Sequence, residues 1–105
     1  MGFGKKLEHP GAVALDERFG LPRDAFELAR FWVSPEAARS YVLIGYQERW
    51  TPELLGALLV ESVHTAAAAY AARTNMSEGD ALQRIWHGFD DERERLGPEP
   101  SKEIE

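Results

Sequence analysis

From Thr51 to Arg73 the chain reads TPELLGALLVESVHTAAAAYAAR, and this stretch constrains the fold more than any other. Thr51 is suited to cap a helix. Pro52 suits its first turn, where a missing N–H costs nothing and the fixed φ is already helical. Alanine has the highest intrinsic helix preference, so the run Ala66 to Ala72 reinforces the same reading. A helix is therefore predicted from Pro52 to about Arg73. At about 100° per residue its apolar stripe comprises Leu55, Leu59, Val63, Ala66 and Tyr70, widened by Val60 and Ala67. Glu61, His64 and Thr65 gather on the opposite edge. The wholly apolar run is far shorter than the ~20 residues a membrane-crossing helix needs.

A helix so long must lay its stripe against something, and the next segment supplies it. Ser77 with Asp80 three residues later resembles a capping box, which predicts a second helix to about Leu96, stopped by Gly97-Pro98. Its apolar positions are Leu82, Ile85, Phe89 and Leu96, with His87 opposite them. Ahead of Thr51 the period changes. FELARFWV (residues 26–33) and YVLIGYQ (41–47) are rich in aromatic and β-branched residues and read as strands joined by a turn containing Pro35. The expected class is α+β: an antiparallel β-hairpin packed against two antiparallel helices, in the order arm-β-β-α-α. Residues 1–25 hold Gly2, Gly4, Gly11, Gly20, Pro10 and Pro22 and form a loop-rich arm, with one short ordered piece around Ala12 to Phe19. Residues 26–97 make the domain and 98–105 an acidic frayed tail.

The hairpin raises a difficulty. Ala29, Phe31 and Val33 alternate with Leu28 and Trp32, and Val42, Ile44 and Tyr46 alternate with Tyr41 and Leu43, so both faces are apolar. A two-stranded sheet is marginal alone and its edges stay open. Either the arm or a second copy of the chain has to cover the remaining face.

Composition narrows the function classes. A net charge of −6 over 105 residues argues against a nucleic-acid binder, which needs a basic face to displace counterions. Residues 90–105 carry seven acids against three bases and read as a solvated face. The absence of cysteine excludes disulfides, thiolate metal sites and a cysteine nucleophile, and agrees with a reducing cytoplasm. MGFGKKLEHPG has no apolar core of a signal peptide, and Lys6 stands where a myristoylation motif requires Ser or Thr. A cytoplasmic location is expected, with no nucleic acid and no membrane among the partners.

The chemistry-bearing residues are few. Glu61 and His64 form a Glu-x-x-His pair, which projects two metal ligands from one helix in carboxylate-bridged di-iron bundles. Such bundles need two of these motifs and two further carboxylates, whereas this chain has one motif, so an ordinary surface pair is the favoured reading. His87 lies level with His64 in a helix hairpin but on a different face, and His9 has no evident partner. Trp32, Trp50 and Trp86 read as packing residues. Ser40, Ser62 and Ser77 lack the strand–turn–helix setting of a nucleophile, and no glycine loop suits a phosphate.

The segments AFELARFWV, WTPELLGALLVE (Trp50 to Glu61), AYA (Ala69 to Ala71) and LQRIWHGF (Leu82 to Phe89) are similar to a small bacterial family, the domain of unknown function numbered 5076. The resemblance covers about residues 25–95 and leaves the arm outside. It rests on structural positions, so it implies a fold and no activity. The combined expectation is a non-enzymatic protein-interaction module acting as a homodimer, with no cofactor and no resident metal. The alternative is a small enzyme or metal-dependent ligand binder using Glu61 and His64.

Overall fold

The computed structural model describes residues 8–98. Two strands, β1 (Ala29–Ser34) and β2 (Arg39–Ile44), are followed by two helices, α1 (Pro52–Arg73) and α2 (Glu78–Leu96). This is the α+β order β-β-α-α expected from the sequence. The chain divides into two compact units, residues 1–45 and 46–105, and each is described by itself.

In the first unit the strands pair antiparallel, with Phe31 opposite Val42, Trp32 opposite Tyr41 and Ser34 opposite Arg39. The ladder sits closer to the turn than the sequence suggests: Arg39 and Ser40 are paired, while 26–28 and 45–47 lie outside the strands. The turn explains the shift. Ala38 adopts a left-handed conformation (φ 55), so the chain reverses in the four residues Pro35 to Ala38. The Ala38 N–H donates to the Pro35 carbonyl at 3.3 Å, and the Ser34 hydroxyl accepts from the Ala37 N–H at 3.2 Å. Gly45 extends the ladder by one bond, its N–H donating to Leu28 O at 2.6 Å.

Cross-strand partners share a face. Ala29, Phe31, Val33, Val42 and Ile44 therefore lie on one side and Trp32, Tyr41 and Leu43 on the other. The arm meets the second side. His9 approaches Trp32 edge-on with ring centroids 5.1 Å apart, and Glu8 lies 3.6 Å from the Arg30 guanidinium. Trp32 is accordingly half-buried, whereas Phe31 (59%), Val33 (74%), Val42 (64%) and Ile44 (51%) stay exposed. The ordered piece expected near Ala12 to Phe19 is a single 3-10 turn, Glu17–Phe19, preceded by a turn in which Ala12 N–H donates to His9 O at 2.9 Å.

In the second unit both helix starts follow the sequence. The Thr51 hydroxyl accepts from Leu54 N–H at 3.2 Å with Pro52 in the first turn, and the Ser77 hydroxyl accepts from Asp80 N–H at 3.0 Å. Glu78 and Asp80 at the start of α2, and Arg93 and Arg95 at its end, complement the helix dipole. Gly97 ends it at φ 88, its N–H donating to Glu94 O at 3.1 Å.

The covered core of this unit is small: Val63 and Ala67 from α1 and Ala81 from α2. Two of the three are alanines, whose small side chains let the helix backbones approach closely. Leu55, Leu58, Leu59 and Ala66 on α1, with Leu82, Ile85 and Trp86 on α2, are half-buried around them. Tyr70, expected on the inner stripe, is 53% exposed and lines a shallow hollow with Met76, Ala81, Arg84 and Ile85. Phe89 (41%) and Leu96 (69%) are also exposed, so burial concentrates in the half of the helix pair nearer its connecting turn. Helix α1 is long and apolar enough to cross a membrane by length and composition alone, a property that the short alanine run did not signal.

Candidate functional site

Glu61 and His64 lie one turn apart on α1, and both side chains are exposed. Among the described residues no hydrogen bond or ion pair joins them or reaches either. No group of three His, Asp or Glu side chains comes together among the described residues. The helix thus sets the pair on the outer edge that its periodicity predicts. His87, level with His64 in the sequence reading, faces solvent and pairs instead with Asp91, Nε2 to Oδ2 3.4 Å.

The polar side chains that the fold does bring together are in the hairpin unit. Arg30 sits between Glu27, Nε to Oε2 2.6 Å, and Glu8, and both carboxylates raise its pKa above the ordinary arginine value, Glu27 the more. Its guanidinium lies 6.0 Å from the centroid of Trp32, and that of Arg39 lies 5.0 Å from Tyr41. His9 completes this surface: its ring packs on Trp32 while Nδ1 accepts from Gly11 N–H at 2.9 Å. Together His9, Trp32, Tyr41 and Leu43 border an open, shallow depression with Pro35 and Glu36.

The sequence reading missed this cluster, since it left His9 without a partner and did not single out Arg30 or Arg39. The local signal was His-Pro-Gly, a turn sequence that brings an imidazole nitrogen back to the backbone two residues on. What it meets across the sheet is a long-range contact with no sequence period.

Two further exposed ion pairs are also local. Arg18 holds Asp16 below the usual carboxylate range through a side-chain bond at 2.8 Å, and Arg95 does the same to Glu92. Each joins residues two or three apart on the surface and orders only its own turn.

Hairpin and helix pair together define a small α+β chain whose chemistry-bearing side chains lie at its surface. It belongs to the family Domain of unknown function (DUF5076), whose pattern matches residues 6–96. The match begins within the arm, which the resemblance had left outside, and this agrees with the contacts of Glu8 and His9 on the hairpin. No curated protein matches. A solved chain from the photosynthetic bacterium Rhodopseudomonas palustrus CGA009, described provisionally as a pyruvate dehydrogenase, is 25% identical with a TM-score of 0.64. The alignment covers 94% of this chain and 98% of that one, so the two are of nearly equal length.

Proposed function

We propose that this chain is a non-enzymatic protein-interaction module that acts as a homodimer. One observation carries the reading: Phe31, Val33, Val42 and Ile44 make a contiguous apolar sheet face, each more than half exposed. Glu8 and His9 of the arm lie on the Trp32 side, and Phe31, Val33, Val42 and Ile44 stay exposed. Contiguous exposed apolar surface on a small protein marks a contact site, because leaving it in water costs about 25 cal/mol per Å². The provisional dehydrogenase name belongs to the neighbour, and no group of side chains described above reproduces a reaction centre for it.

Light scattering during size exclusion tests the reading. A mass about twice 11.8 kDa is expected. A strict monomer at high concentration overturns it. Val42→Asp should shift the dimer toward monomer, because Val42 lies on the apolar face and on the outer strand, and a charge there cannot be desolvated without a partner.

A further inference from the structure

The hairpin has two outer edges, and they differ. Because Gly45 N–H bonds to Leu28 O, residues 28 and 45 form a hydrogen-bonded pair, and such pairs alternate along an antiparallel ladder. Arg30–Leu43, Trp32–Tyr41 and Ser34–Arg39 therefore use their backbone groups within the hairpin. The N–H and C=O groups of Ser40, Val42 and Ile44 point away from β1, and among the described residues no hydrogen bond reaches them. The outward groups of Ala29, Phe31 and Val33 on β1 are likewise without a hydrogen bond among the described residues, but there Gly11, Ala12 and Val13 of the arm flank the edge, bordering a hollow with Ala29, Arg30 and Phe31. All six residues of β2 are exposed, none is proline, and the one charge, Arg39, stands at its first position. Edge strands are usually protected by a proline, a central charge, a bulge or a covering segment. Among the described residues this edge shows none of these.

We infer that β2 pairs antiparallel with β2 of a second copy about a two-fold axis through Val42, joining two hairpins into one four-stranded sheet. The inference rests on the homodimer reading and sets the two-fold at the β2 edge, so that the apolar faces of the two copies join side by side into one larger surface instead of covering each other. The strand is its own match in this register. Val42 meets the partner's Val42, Ser40 meets the partner's Ile44, and the three outward-facing residues form the hydrogen-bonded pairs. Tyr41 falls opposite the partner's Leu43, an aromatic–aliphatic pair of the kind that stabilises cross-strand contacts. Charge is accommodated too: Arg39 falls opposite the uncharged Gly45 of the partner, and the two arginines lie about 20 Å apart at opposite ends of the ladder. A two-fold axis perpendicular to the sheet keeps Phe31, Val33, Val42 and Ile44 of both copies on one side. Four strands also remove the marginality of an isolated hairpin.

The absence of cysteine makes the register directly testable. The unmodified chain, Val42→Cys, Ser40→Cys and Val42→Pro are compared by light scattering, and the two cysteine variants are oxidised with glutathione disulfide and run on a non-reducing gel. At the two-fold the Val42 Cα atoms are about 5.5 Å apart, within disulfide range, whereas the Ser40 Cα atoms are about 14 Å apart. The expected result is a dimer in which Val42→Cys cross-links at least about tenfold faster than Ser40→Cys. Val42→Pro, which removes only an outward N–H, should be a monomer with an unchanged far-ultraviolet spectrum. A dimer in which the two cysteine variants cross-link equally, or one that survives Val42→Pro, overturns the edge pairing and leaves the homodimer reading standing. A monomeric unmodified chain overturns both.

Discussion

The helix pair and the hairpin bury apolar surface in opposite ways. Residues 46–105 contain the three buried side chains of the described chain, Val63, Ala67 and Ala81, held by two capped helices. The described residues 8–45 include none, although Phe31, Val33, Val42 and Ile44 are larger and more apolar than the alanines that are covered. The difference shows that stability and contact surface have been given to separate parts of the chain. Small residues at the helix contact close a little core completely, while large residues on the sheet stay available to another molecule.

The strongest way to break that comparison is to crowd the covered core. Ala67→Leu should destabilise the protein by about 1–3 kcal/mol at every protein concentration, because close-packed helices have no room for the added carbons. Chemical denaturation followed by far-ultraviolet circular dichroism measures it; a neutral result would mean the helix contact is loose. Ser77→Ala should cost less, about 1 kcal/mol, by leaving the Asp80 N–H without its capping oxygen, and the same titration reads it. On the hairpin, Ala38→Gly should stabilise by roughly 0.5–1 kcal/mol, since glycine relieves the left-handed strain at φ 55 while adding some unfolded-state entropy. Amide exchange of β1 and β2 would register it as slower opening. Val42→Ala sharpens the contrast: the unfolding midpoint of dilute protein should move by no more than about 0.5 kcal/mol, with a larger fall on concentration. Smallest of all, Glu61→Ala and His64→Ala should each stay within about 0.5 kcal/mol by thermal melting, because both side chains are exposed. A large loss from either would show that the pair is covered by something in solution.

Legibility in the sequence followed the range of the interactions. Thr51-Pro52, Ser77 with Asp80, and Gly97-Pro98 located both helices because capping is satisfied within four residues. The strand ends slipped because a tight turn normally announces its left-handed position with Gly or Asn, and here Ala38 takes it. Tyr70 was assigned to the inner stripe because apolar residues occupy so much of α1 that periodicity cannot say which of them meets α2. Glu61 and His64 were correctly set on the polar edge, since their position follows from helix geometry alone. The contact of His9 with Trp32 was invisible because twenty-odd residues of irregular chain separate the two.

That same contact divides the optical properties of the molecule. Trp32 lies against His9 in the hairpin unit, whereas Trp86 tilts over Phe89 on α2 at a centroid distance of 5.3 Å. Each unit thus carries an indole in its own aromatic setting. With Trp50 and Trp86 changed to phenylalanine, the emission that remains reports whether the arm is seated on the sheet. Fluorescence can then follow the docking of residues 8–11 separately from the melting of the helices.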